Sequence, residues 1–260
     1  MAFEARIHVA ASTQEVSRLA AEQFVLLAVK AVRDQGLFTV ALAGGSTPRS
    51  LYDLLANDKE PYRAQLSWER MHFFWGDERH VPPDHADSNY RMASEAMLAR
   101  VPVPLENVHR INSENTDAAK AADEYEQTLR EFFRLGEGQL PRFDLTLLGM
   151  GLDGHIASVF PGSDVINEKN RLVAALWVEK FKSYRITLTP PVLNNAAIVM
   201  FLVSGREKAK VLQEVLEGEH QPERFPAQLI RPNKGKLLWL VDQEAAYILT
   251  EGKLRRTGKS

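Results

Sequence analysis

The chain has 260 residues, 45% apolar and 25% charged, the balance of a globular protein with enough apolar side chains for a sizeable core in one large α/β domain or two small ones. A formal net charge of −2 argues against a partner held by bulk electrostatics, so neither nucleic acid nor a membrane surface is expected. The absence of cysteine excludes disulfides, thiolate zinc sites and cysteine nucleophiles.

The first residues carry Glu4 and no long apolar run, so they do not read as a signal peptide, and no later run approaches the ~20 residues of a membrane span. A cytoplasmic protein is expected. Ser12-Thr-Gln-Glu15 has the form of a capping box ahead of a helix over 13–33, with Val16, Leu19, Ala20, Leu27, Ala28, Ala31 and Val32 along one stripe. Strand-like runs follow at 38–43, 71–75, 143–148, 172–178, 197–203 and 236–241, and further helical patterns at 116–135 and 205–217. Several of the strands are apolar throughout, as a sheet covered on both faces requires. The alternation predicts a doubly wound, mostly parallel sheet flanked by helices, forming one domain over 1–250 with room for a small subdomain, then a mobile tail over 251–260.

In such a fold ligands gather beyond the carboxyl ends of the strands. Three segments there hold most of the polar chemistry. After 38–43 comes Gly44-Gly-Ser-Thr-Pro48, where Gly44 and Gly45 let backbone approach a ligand and Ser46 or Thr47 is a candidate cap for the next helix. A strand, a glycine turn and a helix N-terminus suit a phosphate, although the same residues also describe an ordinary strand-to-helix turn. The GxxxxGK[ST] spacing is absent.

After 71–75 come Asp77, Glu78 and Arg79. Arg79 offers a planar fork for phosphate or carboxylate, and Asp77 and Glu78 are candidates for binding sugar hydroxyls or orienting a base. Ser88-Asn89 is expected to cap the next helix and is a candidate to face the cleft as well. His80, Asp84 and His85 raise a metal reading, which lacks a recognisable spacing, and no metal is expected.

The third segment is Gly149-Met-Gly-Leu-Asp-Gly-His-Ile-Ala-Ser158, a literal GxGxxG behind a strand. A dinucleotide site is the obvious competitor, but Pro161-Gly162 leaves only a turn or two for the crossover helix such a site needs. Read chemically, His155 opens a short helix whose dipole disfavours imidazolium, leaving a neutral ring able to accept a proton. Asp153 either orients that ring or contacts the ligand. Arg185, before an alternating strand, and Lys208, at the start of a helix, are second-rank anion contacts.

Taken in order, ALAGGSTPRSLYDLLA at 41–56, FFWGDERHVPPDHADSN at 73–89, LLGMGLDGHIASVFPGS at 147–163, YRITLTPPVLNNA at 184–196 and LVSGREKA at 202–209 closely resemble the 6-phosphogluconolactonase family over nearly the whole chain. The resemblance implies the fold shared with glucosamine-6-phosphate deaminases and ribose-5-phosphate isomerases. It implies hydrolysis of 6-phospho-D-glucono-1,5-lactone, with His155 as general base, and neither metal nor organic cofactor. It also implies phosphate contacts from the Gly44–Thr47 loop, Arg79 and Lys208, with Arg185 close by. An oxyanion would fall to backbone N–H groups of the glycine-rich loop or to Arg185. The related aminosugar-phosphate deaminases carry a glutamate shortly after the matching histidine, where this chain reads Ser158-Val-Phe-Pro161, and Asp-Glu-Tyr where it has Asp77-Glu78-Arg79. A silent sugar-phosphate sensor on the same fold is the remaining alternative, without a basic helix-turn-helix to support it. A monomer or weak homodimer is expected.

Overall fold

The structure is a computed structural model and describes residues 5–250 together with Arg255 and Arg256. Strand β1 (Ala5–Ala10) leads into helix α1 (Thr13–Gln35), then β2 (Phe38–Leu42), α2 (Ser46–Ala56), β3 (Met71–Trp75), β4 (Asp77–Arg79) and α3 (Asn89–Ala96). The chain continues through α4 (Ala118–Phe132), β5 (Leu145–Leu148), β6 (Val173–Val178), β7 (Ser183–Leu188), α5 (Pro190–Asn195), β8 (Ile198–Val203), α6 (Ala209–Glu217), β9 (Lys236–Asp242) and β10 (Arg255–Arg256).

Seven strands form one sheet in the order β10-β1-β9-β8-β5-β2-β3, and every pairing in it is parallel. All residues of β2 and β5 are buried, as their sequences, apolar apart from Thr39 and Thr146, require of central strands. The chain runs from β2 outward to β3, and from β5 the other way to β8. The order therefore reverses between the neighbours β2 and β5, which opens a crevice at their carboxyl ends.

Helix α1 forms because Ser12 accepts a hydrogen bond from the Glu15 N–H and Gly36, with φ 85°, closes its last turn onto Val32. Its stripe of Val16, Ala20, Phe24 and Ala28 is buried in the core. Two buried tyrosines brace the strand ends beside the crevice. The Tyr52 hydroxyl bonds both N–H and C=O of Ala43, and the Tyr125 hydroxyl does the same for Trp75. Backbone groups at these strand ends are thus satisfied without water.

Two expectations are corrected. The apolar run 172–178 does not join the parallel sheet. It forms β6 of a separate antiparallel sheet, β4-β7-β6, packed against α4, with β7 antiparallel to both neighbours. Three central residues of β6 are only half-buried, so its apolar sequence reflects one covered face and an outer aromatic surface rather than a doubly covered strand. Helix α6 begins at Ala209 and not at 205, because Gly205 adopts φ 100° and Arg206–Lys208 form a 3-10 turn. The tail expected over 251–260 lies outside the described residues, apart from Arg255 and Arg256 beside β1.

Candidate active site

The crevice contains a cavity of about 380 Å³, a size suited to a small molecule. Segments behind four parallel strands meet there: Gly44–Pro48 after β2, Gly76 and Asp77 after β3, Gly149–Gly151 with His155 after β5, and Ser204–Lys208 after β8.

The Gly44–Thr47 loop differs from expectation in one respect. Neither Ser46 nor Thr47 caps α2. Gly45, at φ 106°, is the N-cap, no side chain caps the helix, and Ser46 and Thr47 are its first two residues. The first intrahelical bond runs from the Arg49 N–H to the Gly45 carbonyl. The Ser46 and Thr47 N–H groups therefore have no acceptor within the helix, and both residues line the cavity at the positive end of α2. An uncapped start of this kind is better suited to an anion than a self-capped one.

Alternation along β4 separates its three charged residues. Asp77 and Arg79 line the cavity. Glu78 is buried and is not among the lining residues, which corrects its expected role in binding substrate. Its carboxylate accepts from the N–H groups of Arg79, Asn89 and Tyr90 and from the Ser88 hydroxyl, so it serves the N-terminus of α3. Burial pushes the Glu78 carboxyl up from its ordinary range, against the pull of those backbone donors.

No helix opens at His155. Gly154 at φ 78° and Ala157 at φ 45° break any helical run, and Ile156 and Val159 close a tight turn in its place. No helix dipole therefore acts on the ring, and a carboxylate lies against it instead. Asp153 Oδ1 lies 2.5 Å from His155 Nδ1 and also accepts from the His155 backbone N–H at 3.2 Å. Burial works against the charge on Asp153. The hydrogen bond and attraction of His155 outweigh it and hold the carboxyl at about 2. In the neutral imidazole this arrangement places the proton on Nδ1 and leaves the lone pair on Nε2. Gly151 makes room for the pair, since a Cβ there would stand 2.0 Å from His155 Nδ1 and 2.6 Å from Asp153 Oδ1.

Three cations surround the mouth. Arg79 and Arg185 are directly paired across β4 and β7, and Lys208 lies on the cavity wall. Each donates to a backbone carbonyl and not to a carboxylate: Arg79 to Asp87, Arg185 to Tyr184 and Lys208 to Met150. Burial lowers Arg185, with the neighbouring Arg79 adding to it, and burial also lowers Lys208. Cations that make no hydrogen bond to a carboxylate among the described residues are open to one from an arriving anion. Arg185 is beside Arg79 but is not among the residues that line the cavity.

The sequence assigned no site role to Ser158 or Glu207, and offered Asn89, with Ser88, as a helix cap and a candidate to face the cleft. Buried Asn89 lines the cavity, donates to the Asp77 carbonyl at 3.0 Å and abuts Gly44, where a Cβ would stand 2.0 Å from its Oδ1. Ser158 donates to Asp77 Oδ2 at 2.6 Å and ties the His155 loop to β4. Glu207 lines the cavity next to Lys208. His80, Asp84 and His85 do not converge, and no cluster of three metal-ligating side chains is found among the described residues. Among the same residues no helix is long and apolar enough to cross a membrane.

A model of the family described as glucosamine-6-phosphate isomerases/6-phosphogluconolactonase matches residues 11–239. A 6-phosphogluconolactonase of Synechocystis sp. is 43% identical over 216 residues, covering 83% of this chain and 86% of the relative. The structure of 6-phosphogluconolactonase from Trypanosoma cruzi superposes with a TM-score of 0.84 at 34% identity, covering 96% of this chain and 98% of the other. A monomeric glucosamine-6-phosphate deaminase reaches a TM-score of 0.77 at 21% identity over 94% of this chain and 99% of its own, a likeness of fold alone. The chain belongs to the family of glucosamine-6-phosphate isomerases and 6-phosphogluconolactonases.

Proposed function

We propose that this chain hydrolyses 6-phospho-D-glucono-1,5-lactone to 6-phospho-D-gluconate, the lactonase step of the oxidative pentose phosphate pathway. The observation that carries this reading is the Asp153–His155 pair, 2.5 Å apart, on a cavity whose other walls present Arg79, Lys208 and the uncapped start of α2. A base with a fixed tautomer and an anion cradle share one cavity. That is what a phosphorylated, activated ester needs.

In this mechanism the phosphate is held by the Ser46 and Thr47 N–H groups, Arg79 and Lys208, which places the lactone carbonyl near His155. Nε2 of His155 takes a proton from water as the water oxygen attacks the carbonyl. Asp153 stabilises the imidazolium that results. The protonated ring then returns the proton to the departing ring oxygen as the C–O bond breaks. General-base help of this kind contributes about 10²–10⁴-fold. The Gly151 and Gly154 N–H groups are already bonded within the chain, to the His155 and Gly151 carbonyls. The oxyanion role therefore narrows to the Gly149–Met150 backbone, with Arg185 as the side-chain alternative. Asp77 is a candidate acceptor for a sugar hydroxyl.

The test is lactone hydrolysis by the purified chain, followed as acid release at constant pH and corrected for the spontaneous reaction, beside an ammonia assay with glucosamine 6-phosphate. Lactone turnover well above background without ammonia release is expected. Ammonia release would favour the deaminase, and silence in both assays a sensor. Phe160 where the deaminases carry a glutamate supports the lactonase.

A further inference from the structure

A single hydrogen bond to Nδ1 fixes one point of an imidazole and leaves the ring free to swing about it. The structure supplies a second contact. The Phe160 ring lies against the ring of His155, with centroids 4.4 Å apart and planes inclined by 33°. The chain is bent to bring this about. Val159 N–H bonds back to the Ile156 carbonyl at 2.7 Å, Ala157 accepts a left-handed φ of 45°, and Ser158 pins the tip of the turn to buried Asp77. Phe160 thus returns over a residue five positions earlier.

Phe160 is itself backed by Phe181, at 5.9 Å and 60°, from the turn between β6 and β7. The Arg185 guanidinium lies 5.1 Å from the other ring of that stack, and Lys180 Nζ is 3.9 Å from Asp153 Oδ2. Core packing does not account for Phe160, which is only half-buried and lies outside the buried apolar cluster.

We propose that Phe160 is a positioning residue for His155: its ring is the wall that, together with the Asp153 carboxylate, sets the plane in which Nε2 meets the attacking water. The role rests on the reading of His155 as general base. The Phe181 turn supports Phe160 from behind and holds Arg185 on the same stack, which links the small antiparallel sheet to the reacting end of the cavity. Aromatic pairs of this geometry are directional as well as apolar, so an aliphatic group of similar bulk is not equivalent.

The experiment compares F160L, F160M and F160Y in the wild-type and H155A backgrounds, with kcat and KM for the lactone and thermal shift by inorganic phosphate as the measure of a folded site. Two aliphatic variants are used so that misfolding of one leaves the test intact. F160L and F160M should lose roughly 10–100-fold in kcat, the range expected when a reacting group is misplaced by about an ångström, with KM changed less than about twofold. F160Y, which keeps the ring, should recover most of the rate. In H155A the same aliphatic substitutions should cost nothing further, because the wall acts only through the imidazole. Unchanged kcat in F160L and F160M, or an equal loss in the H155A background, would overturn the positioning role alone. Full turnover by H155A itself would overturn the base assignment and the positioning role with it.

Discussion

Replacing Asp153 with Asn tests the orienting pair while keeping its shape. Asn can occupy the same volume and still present an oxygen to His155 Nδ1, now 2.5 Å from Asp153 Oδ1, but it removes the charge. The carboxyl is held at about 2, against an ordinary 3.8, by its interaction with His155. At about 1.4 kcal/mol per pH unit, that shift corresponds to roughly 2 kcal/mol of favourable interaction for the Asp153 carboxylate, and about 1–2 kcal/mol after allowing for its partial exposure. Loss of the charge alone should then lower kcat by about 5–30-fold. If the Asn amide turns its NH₂ to the ring, the tautomer reverses, Nε2 is protonated, and the loss grows toward ~10⁴-fold. D153N should therefore lose at least about fivefold in kcat with KM within twofold, by acid release corrected for spontaneous hydrolysis. Unchanged kcat would refute the orienting role. A raised KM with intact kcat would assign Asp153 to ligand contact instead.

Gly151→Ala places a methyl 2.0 Å from His155 Nδ1, so it should abolish more than about 99% of the activity, while a small change in Tm on a thermal melt shows the fold intact. Arg79→Ala and Lys208→Ala should each act mainly on KM and weaken protection by inorganic phosphate; unchanged KM in either variant removes that residue from the phosphate site. His109, held near 4 by burial and then by the charge of neighbouring His72, is favoured neutral in the fold. Its contribution to stability is therefore present above the unfolded value of about 6.5 and is lost as pH falls from there toward 4, by about 1–2 kcal/mol after screening. Chemical denaturation between pH 7.5 and pH 4.5 should show that loss, and His109→Phe should flatten the profile.

Much of the site is legible in the sequence for a geometric reason. A parallel sheet brings all its carboxyl ends to one edge, so Gly44–Thr47, Asp77, Arg79, His155 and Lys208, each just behind an apolar run, are gathered without knowledge of the tertiary structure. What was not legible turns on local backbone and on partners far apart in the chain. The apolar run 172–178 carries nothing that separates a strand of the main sheet from one face of a small antiparallel sheet. The left-handed Ala157, which prevents a helix at His155, is not a conformation that alanine advertises. The direction of Glu78 was recoverable, because alternation in a three-residue strand sends it opposite to Asp77 and Arg79. Asn89 was visible as a cap residue and a candidate to face the cleft, but its contact with Gly44 joins residues far apart in the chain and carries no sequence signal.

The orientation of His155 is the most specific part of the account and its proposed role the most exposed to test. Steady-state hydrolysis of 6-phospho-D-glucono-1,5-lactone by His155→Ala, after subtraction of the spontaneous rate, addresses it directly. With His155 as the general base, kcat should fall at least about 10²-fold while inorganic phosphate still protects the folded protein. Turnover within a few-fold of the unmodified enzyme would contradict it.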